Sequence, residues 1–187
     1  MVSEIMQNSD DNRYVLSVLV FNHSGALSRI SGLFSRRGYN ISSLSVGETE
    51  DKDVSRMTIE FYGDEHTAEQ LKKQLNKLED VIKLTELQHS QGVFRELLLL
   101  KVAANDETRP AIMEIANIFR AKVDDISKEC LTMELTGGRS KTAAFLEMMN
   151  GYGIKEIART GLTALERGNS ELKAHDKLDT GDSIVYG

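Results

Sequence analysis

Residues 22–27, Asn-His-Ser-Gly-Ala-Leu, form a polar turn whose residue types can bind a small zwitterion. Gly25 has no side chain, so the backbone can approach a ligand closely at this position. An amphipathic segment begins at Ala26, and the free N–H groups at the start of a helix favour an anionic group such as a carboxylate. Asn22 and Asn40 flank the turn with neutral donors and acceptors. We identify no catalytic base in this motif, which indicates binding of a small molecule and not its conversion.

The segments around the turn indicate how it is positioned. Arg13–Phe21 is an apolar run that predicts a strand leading into the turn, and Tyr39–Val46 predicts a second strand after it. Between them Ala26–Arg37 predicts a helix, because two arginines followed by Gly38 are typical of a helix C-terminus. The apolar face of this helix comprises Leu27, Ile30, Leu33 and Phe34.

The next segments complete a first domain, which we place at residues 13–88. Val54–Tyr62 alternates apolar and polar residues, which predicts a half-buried strand. Asp64 is a candidate N-cap for a helix, and Val81–Leu87 predicts the last strand. The apolar face of that helix comprises Ala68, Leu71, Leu75 and Leu78. The order β-α-β-β-α-β is the ferredoxin-like arrangement, an α+β fold.

The same order of elements repeats in a second domain, which we place at residues 93–168. Thr108 is a candidate cap for its first helix, where Pro110 is tolerated in the first turn. The turn at 105–108 is acidic and has no glycine, so we expect only the first domain to bind a carboxylate ligand. The predicted strands are Glu96–Ala103, Lys122–Lys128, Leu131–Thr136 and Gly153–Ala158, and the predicted second helix is Arg139–Asn150, with Phe145, Met148 and Met149 inside.

Composition narrows the class of protein. The net charge of −6 argues against a partner nucleic acid, because a basic stripe is needed for counterion release. The apolar runs are far shorter than the ~20 residues of a transmembrane helix, so we expect no membrane partner. A single cysteine, Cys130, forms no internal disulfide and fits a reducing, cytoplasmic location. We interpret residues 1–12 as a flexible N-terminal tail and residues 169–187 as a polar C-terminal tail.

Other residue clusters do not indicate chemistry. The four histidines (23, 66, 89 and 175) share no metal-ligand spacing with Cys130, so we expect no metal site. Asp124 and Asp125 are adjacent on a predicted strand and point to opposite faces unless the strand bulges. With no convergent base and nucleophile, we expect no catalytic residues in this chain.

The chain resembles a known family through several motifs in the same order. The turn and helix read NHSGALSR at 22–29, and the following segment reads RGYNI at 37–41. This resembles the small, regulatory subunit of acetolactate synthase (acetohydroxyacid synthase), whose N-terminal half is an ACT domain. His23 differs, since the family usually has an acidic residue at this position. Further matches are VSRMTI at 54–59, QLNKLEDVIKL at 74–84, RELLLLKV at 95–102, FRAKVDDIS at 119–127 and ARTGLTALERG at 158–168.

The resemblance implies a non-catalytic subunit. A catalytic large subunit carrying thiamine diphosphate, Mg²⁺ and FAD would perform the chemistry. This chain would activate that subunit and confer feedback inhibition by valine, with isoleucine or leucine as weaker effectors, in branched-chain amino acid biosynthesis. We expect a homodimer with the effector at the seam between two first domains. The implied effector-binding residues are Asn22, His23, Ser24, Gly25, Ala26 and Leu27 of the turn, with Asn40, Ile41 and Leu44 from the partner subunit or the adjacent strand.

Two other classes of function remain open at this point. The first is a free-standing ACT-domain amino-acid sensor that regulates transcription or another enzyme; neither tail shows a helix-turn-helix pattern or a basic cluster to support DNA binding. The second is a ferredoxin-like RNA-binding protein, which needs aromatic residues on the middle strands of an exposed sheet. Only Phe61 and Tyr62 approach that requirement.

Overall fold

The structure, a computed structural model, describes residues 12–174. The prediction for the N-terminal tail and most of that for the C-terminal tail therefore lie outside the described residues. The chain divides into two compact units. Within the described residues, the first comprises residues 12–93 and 164–174, and the second comprises Phe94–Thr163.

The first unit has the predicted ferredoxin-like order of elements. They are β1 (Arg13–Phe21), α1 (Ala26–Arg36), β2 (Ile41–Glu48), β3 (Val54–Tyr62), α2 (Glu65–Leu75) and β4 (Val81–Glu86). The strands form an antiparallel sheet in the order β2-β3-β1-β4, which leaves β2 and β4 at the edges. Asp64 caps α2 as predicted, because its side chain accepts the Thr67 N–H at 2.7 Å.

The core of the first unit lies between the sheet and its two helices. The alternating residues Met57, Ile59 and Phe61 of β3 face this core, as their spacing predicts. Phe61 stacks on Tyr14 and meets the edge of Phe34, both with ring centroids 5.6 Å apart. The prediction for Leu27 was wrong: it is exposed, because Ala26 takes the buried position one turn before Ile30.

The second unit repeats the arrangement. Its elements are β5 (Gly92–Ala103), α3 (Arg109–Phe119), β6 (Lys122–Ile126), β7 (Cys130–Gly137), α4 (Arg139–Asn150) and β8 (Ile154–Arg159). The short strand β9 (Thr163–Glu166) follows, and all of it except Thr163 belongs to the first unit. The sheet order is β6-β7-β5-β8, with β9 paired to β5. Phe145 and Met149 are buried as predicted, whereas Met148 is exposed because it lies at the edge of the face that Thr142, Phe145 and Met149 bury.

The segment after β9 packs on the first unit, although its sequence predicts only a polar tail. By their contacts, residues 164–174 belong to the first unit. Leu172 is only 9% exposed, because it packs on Leu19, Val54 and Ile82. By the alternation along β1 and β3, Leu19 and Val54 lie on the sheet face opposite the helices.

Arg56 of β3 links the segment that contains Leu172 to the sheet through hydrogen bonds. Its Nη2 donates to the Leu172 carbonyl oxygen at 3.0 Å, and its Nη1 donates to the Ser17 hydroxyl at 2.9 Å. Burial lowers the pKa of the Arg56 guanidinium below its ordinary value, which nearby carboxylates of Glu50 and Glu166 partly counteract.

We predict that Leu172→Ser lowers the free energy of unfolding of the first unit by roughly 1–3 kcal/mol. The loss lies at the low end for a buried leucine, because solvent-accessible pockets of about 200 and 550 Å³ border this side chain and let water reach the serine hydroxyl. Urea denaturation followed by circular dichroism measures the change. Leu165→Ser is the matched control, because Leu165 is 54% exposed. Equal losses in the two variants would show that the segment adds no stability.

Candidate effector-binding site

The predicted turn lies between the end of β1 and the start of α1. Asn22 N–H donates to the Asp53 carbonyl at 2.7 Å, and Phe21 N–H donates to the Asp80 carbonyl at 3.0 Å. Gly25 has φ 95° and ψ −18° and occupies the N-cap position of α1. A side chain is strained in this left-handed conformation, so the glycine is needed for the turn itself as well as for ligand access.

The helix start offers donors for an anion. The first N–H groups of a helix have no intrahelical acceptor, and they carry the positive end of the helix dipole. Ala26 N–H makes only a long bond of 3.4 Å to the His23 carbonyl, and the regular ladder begins with Arg29 N–H donating to the Gly25 carbonyl at 2.9 Å. The first turn of α1 contains no acidic side chain to neutralise this end.

Asn22 is oriented by the loop between β2 and β3. Its Nδ2 donates to the Lys52 carbonyl at 2.8 Å and to Glu48 Oε1 at 3.2 Å. Because these two bonds use the amide hydrogens, Oδ1 is left as an acceptor. An amide oxygen beside the Glu48 carboxylate suits an ammonium group, the opposite charge to the one that the helix start favours.

Three ionisable side chains, those of His23, Arg29 and Asp80, form a cluster that contacts the turn. The Asp80 side chain is only 3% exposed, and it lies 2.9 Å from His23 Nε2 and 3.0 Å from Arg29 Nη1. An acidic residue in place of His23 would bring a second carboxylate toward Asp80, whereas the imidazole provides a partner. Sequence reasoning missed Arg29 and Asp80. The ferredoxin order places β4 beside β1, which is the one signal that could have brought Asp80 to the turn.

Asn40, Ile41 and Leu44 lie away from the turn within one chain. In the register of the sheet, Phe21 is opposite Val54 and Ile41 is opposite Phe61. Phe21, which leads into the turn, and Ile41 are therefore opposite β3 residues that lie seven positions apart. At the rise of a strand this is a separation of about 23 Å. The structure therefore brings together residues 22–27 but not Asn40 and Ile41, and the adjacent strand of the same chain does not supply them.

The corresponding turn of the second unit is closed by its own side chains. Asn105 Oδ1 accepts the N–H groups of Glu107 and Thr108 at 3.1 and 2.8 Å. Thr108 occupies the N-cap position, but its side chain makes no capping bond, and Asn105 satisfies the donors in its place. The donors that precede α3 are consequently used internally, in contrast to those at Gly25.

The remaining candidates show ordinary structural contacts. Within residues 12–174 no three His, Cys, Asp or Glu side chains form a group that could hold a metal ion, and His175 lies outside this range. The strand β6 does bulge between Val123 and Asp125, yet Asp124 forms an ion pair with Lys122 at 2.6 Å. Phe61 is fully buried, so it cannot stack on an RNA base. In the described part of the chain, no helix is long and apolar enough to cross a membrane.

Comparison with known families places the two units in one class and then in one family. Residues 16–83 match the family model described as the AHAS small subunit-like ACT domain, so the first unit is an ACT domain. Residues 95–168 match the model described as the small subunit of acetolactate synthase. The chain belongs to the acetolactate synthase small subunit family, whose members have a regulatory role.

Individual relatives agree over nearly their whole length. The chain is 50% identical over 159 residues to the probable acetolactate synthase small subunit of Archaeoglobus fulgidus, covering 85% of this chain and 99% of the relative. It is 44% identical over 164 residues to the acetolactate synthase small subunit of Bacillus subtilis, covering 87% and 95%. The crystal structure of the small subunit from Thermotoga maritima superposes with a TM-score of 0.79 at 41% identity, covering 84% of this chain and 99% of that one.

Proposed function

We propose that this chain activates a catalytic large subunit of acetolactate synthase and makes that subunit sensitive to inhibition by valine. The observation that carries the proposal is the open turn, where Gly25 at φ 95° leads into an uncompensated helix start and Asn22 Oδ1 provides an acceptor. Thiamine diphosphate, Mg²⁺ and FAD belong to the catalytic partner in this proposal. The present chain contributes activation of that subunit and the effector-binding site.

The two charged groups of valine bind at different parts of the turn. The carboxylate accepts hydrogen bonds from backbone N–H groups around Gly25 and Ala26, where the helix dipole also favours it. The ammonium group donates to Asn22 Oδ1, beside the Glu48 carboxylate. Ile41 provides apolar contact to the isopropyl group, whereas Leu44 lies about 10 Å further along β2, too far to contact the same ligand. One methylene is worth about 1–3 kcal/mol in such a pocket, so valine, isoleucine and leucine are graded and not absolutely separated.

A second copy of the chain completes the site. The edge strand β2 has no charged residue between Ile41 and Gly47, although natural edge strands are commonly protected by charge. The other edge, β4, carries Lys83 and Glu86. We infer that two β2 strands pair antiparallel about a two-fold axis near Leu44. Residues four positions on either side of the axis then face each other, which places Asn40 of one copy opposite Glu48 of the other.

This pairing brings the separated residues together across the seam. Glu48 accepts a hydrogen bond from Asn22 of its own chain at 3.2 Å, so Asn40 of the second copy arrives beside the turn. Each dimer then has two effector sites, both made from two chains. A coupling free energy of about 1–3 kcal/mol between this seam and the catalytic subunit is sufficient for feedback control.

A mixing experiment with two variants tests the shared site. We expect Asn22→Ala and Asn40→Ala each to weaken valine binding about tenfold or more, because each removes a hydrogen bond to a charged ligand. Mixing the two variants and allowing the dimers to exchange then restores one wild-type site per mixed dimer. Titration calorimetry of the mixture measures this restored fraction. If the mixture binds valine no better than the separate variants do, the two asparagines do not share a site across the seam.

A further inference from the structure

Asp80 presents a buried charge that needs partners. Its carboxylate immediately precedes β4 and is almost fully buried at 3% exposure. A buried carboxylate is costly unless it is paired and hydrogen-bonded. Arg29 Nη1 donates to Oδ1 and Oδ2 at 3.2 and 3.0 Å, and His23 Nε2 lies 2.9 Å from Oδ1. The carboxylate thus fixes two side chains of the turn region.

Only one end of the Arg29 guanidinium is used by Asp80. Both bonds to the carboxylate come from Nη1, and within residues 12–174 Nη2 makes no hydrogen bond. Nη2 lies 3.6 Å from the position that a Cβ on Gly25 would occupy. The Arg29 side chain is 55% exposed, so this nitrogen is accessible to a ligand at the turn.

We propose that Arg29 binds the carboxylate of the amino-acid effector through Nη2, with Asp80 and His23 as the positioning residues that hold its guanidinium toward Gly25. This inference rests on the proposed function, since it names the side chain that recognises one group of the same effector. A guanidinium presents several donors in a rigid plane, so Nη1 can hold Asp80 while Nη2 binds a second carboxylate.

The arrangement determines which ligands are accepted. Backbone N–H groups bind a carboxylate or a neutral carbonyl, whereas a guanidinium strongly favours the charged group. Arg29 therefore makes the site selective for free α-amino acids over their amides. Valinamide, which replaces the carboxylate of valine by a neutral amide, is the probe that isolates this contact.

The experiment is titration calorimetry of the full-length chain with valine and with valinamide. We expect the wild-type chain to bind valine at least about tenfold more tightly than valinamide, the effect of a hydrogen bond between charged groups. Arg29→Gln combined with Asp80→Asn removes both charges, so no carboxylate is left buried without a partner. We expect this double variant to lose most of the preference for valine, with only the part due to the helix dipole remaining, while its affinity for valinamide stays within about twofold.

Two single variants complete the design. Asp80→Asn alone releases the guanidinium, so we expect it to reduce the preference for valine severalfold; a purely structural role would weaken both ligands equally. Arg37→Gln is the matched control, since Arg37 is exposed at the end of the same helix. A double variant that keeps the full preference for valine contradicts the role of Arg29 but leaves the proposed function standing. A wild-type chain that binds neither ligand contradicts the proposed function and this inference together.

Discussion

Gly25→Asp is expected to abolish inhibition by valine while the chain still activates the catalytic subunit. A side chain at φ 95° is strained by about 1–3 kcal/mol, yet the nearest atom to an added Cβ is Arg29 Nη2 at an ordinary distance of 3.6 Å. The variant therefore folds. Its new carboxylate occupies the anion site and pairs with Arg29, so the valine carboxylate meets a like charge. We expect the valine concentration for half-inhibition to rise about 100-fold or more.

Two controls separate strain from occupation of the site. Gly38→Asp imposes similar strain at φ 73° with no atom within 4 Å of the added Cβ, and it lies at the other end of α1. We expect it to retain valine inhibition. Gly25→Asn adds a neutral side chain of the same size, and we expect a smaller loss than with aspartate. If Gly25→Asp remains inhibited at unchanged valine concentrations, the carboxylate does not bind at this turn.

Phe61→Ala is expected to cause a large loss of stability in the first unit. Phe61 is fully buried and contacts the rings of Tyr14 and Phe34 across the core. Truncation of a buried phenylalanine costs about 3–5 kcal/mol, a large part of the 5–15 kcal/mol by which domains are stable. Urea denaturation followed by circular dichroism measures the change, since the chain has no tryptophan for fluorescence.

The neighbouring residue provides the control for this prediction. Tyr62→Ala removes an aromatic ring of similar size from a side chain that is exposed on the same strand. We expect a loss below about 1 kcal/mol, typical of substitutions outside the core. Similar losses at positions 61 and 62 would contradict the assignment of Phe61, and not Tyr62, to the core of the first unit.

The sequence predicted the fold well because local patterns determine most of it. The alternation at 57, 59 and 61 identified the buried face of β3, and Asp64 was recognised as a cap from its position before a helical pattern. The turn at Gly25 was predicted for the same reason, since a glycine before an amphipathic run is a local signal. Ala26 and Leu27 both fit the apolar face of α1 by their spacing. The pattern alone did not decide which of the two is buried.

The features that sequence reasoning missed depend on distant contacts. Arg29 and Asp80 are 51 residues apart in the sequence. Each is a charged residue type that usually lies on the solvent-exposed surface. Leu172 is a single leucine in a polar segment, and its contact with Arg56 spans 116 residues. The separation of Asn40 from the turn follows from strand register, which the order of elements alone does not provide.

The most direct measurement is acetolactate formation by the purified catalytic large subunit of the same organism, with and without this chain and over a range of valine concentrations. We predict that the chain raises the rate and that valine lowers it only when the chain is present. Isoleucine and leucine are expected to inhibit more weakly. A rate that this chain does not change, or valine inhibition that is the same without it, would contradict the proposed regulatory function.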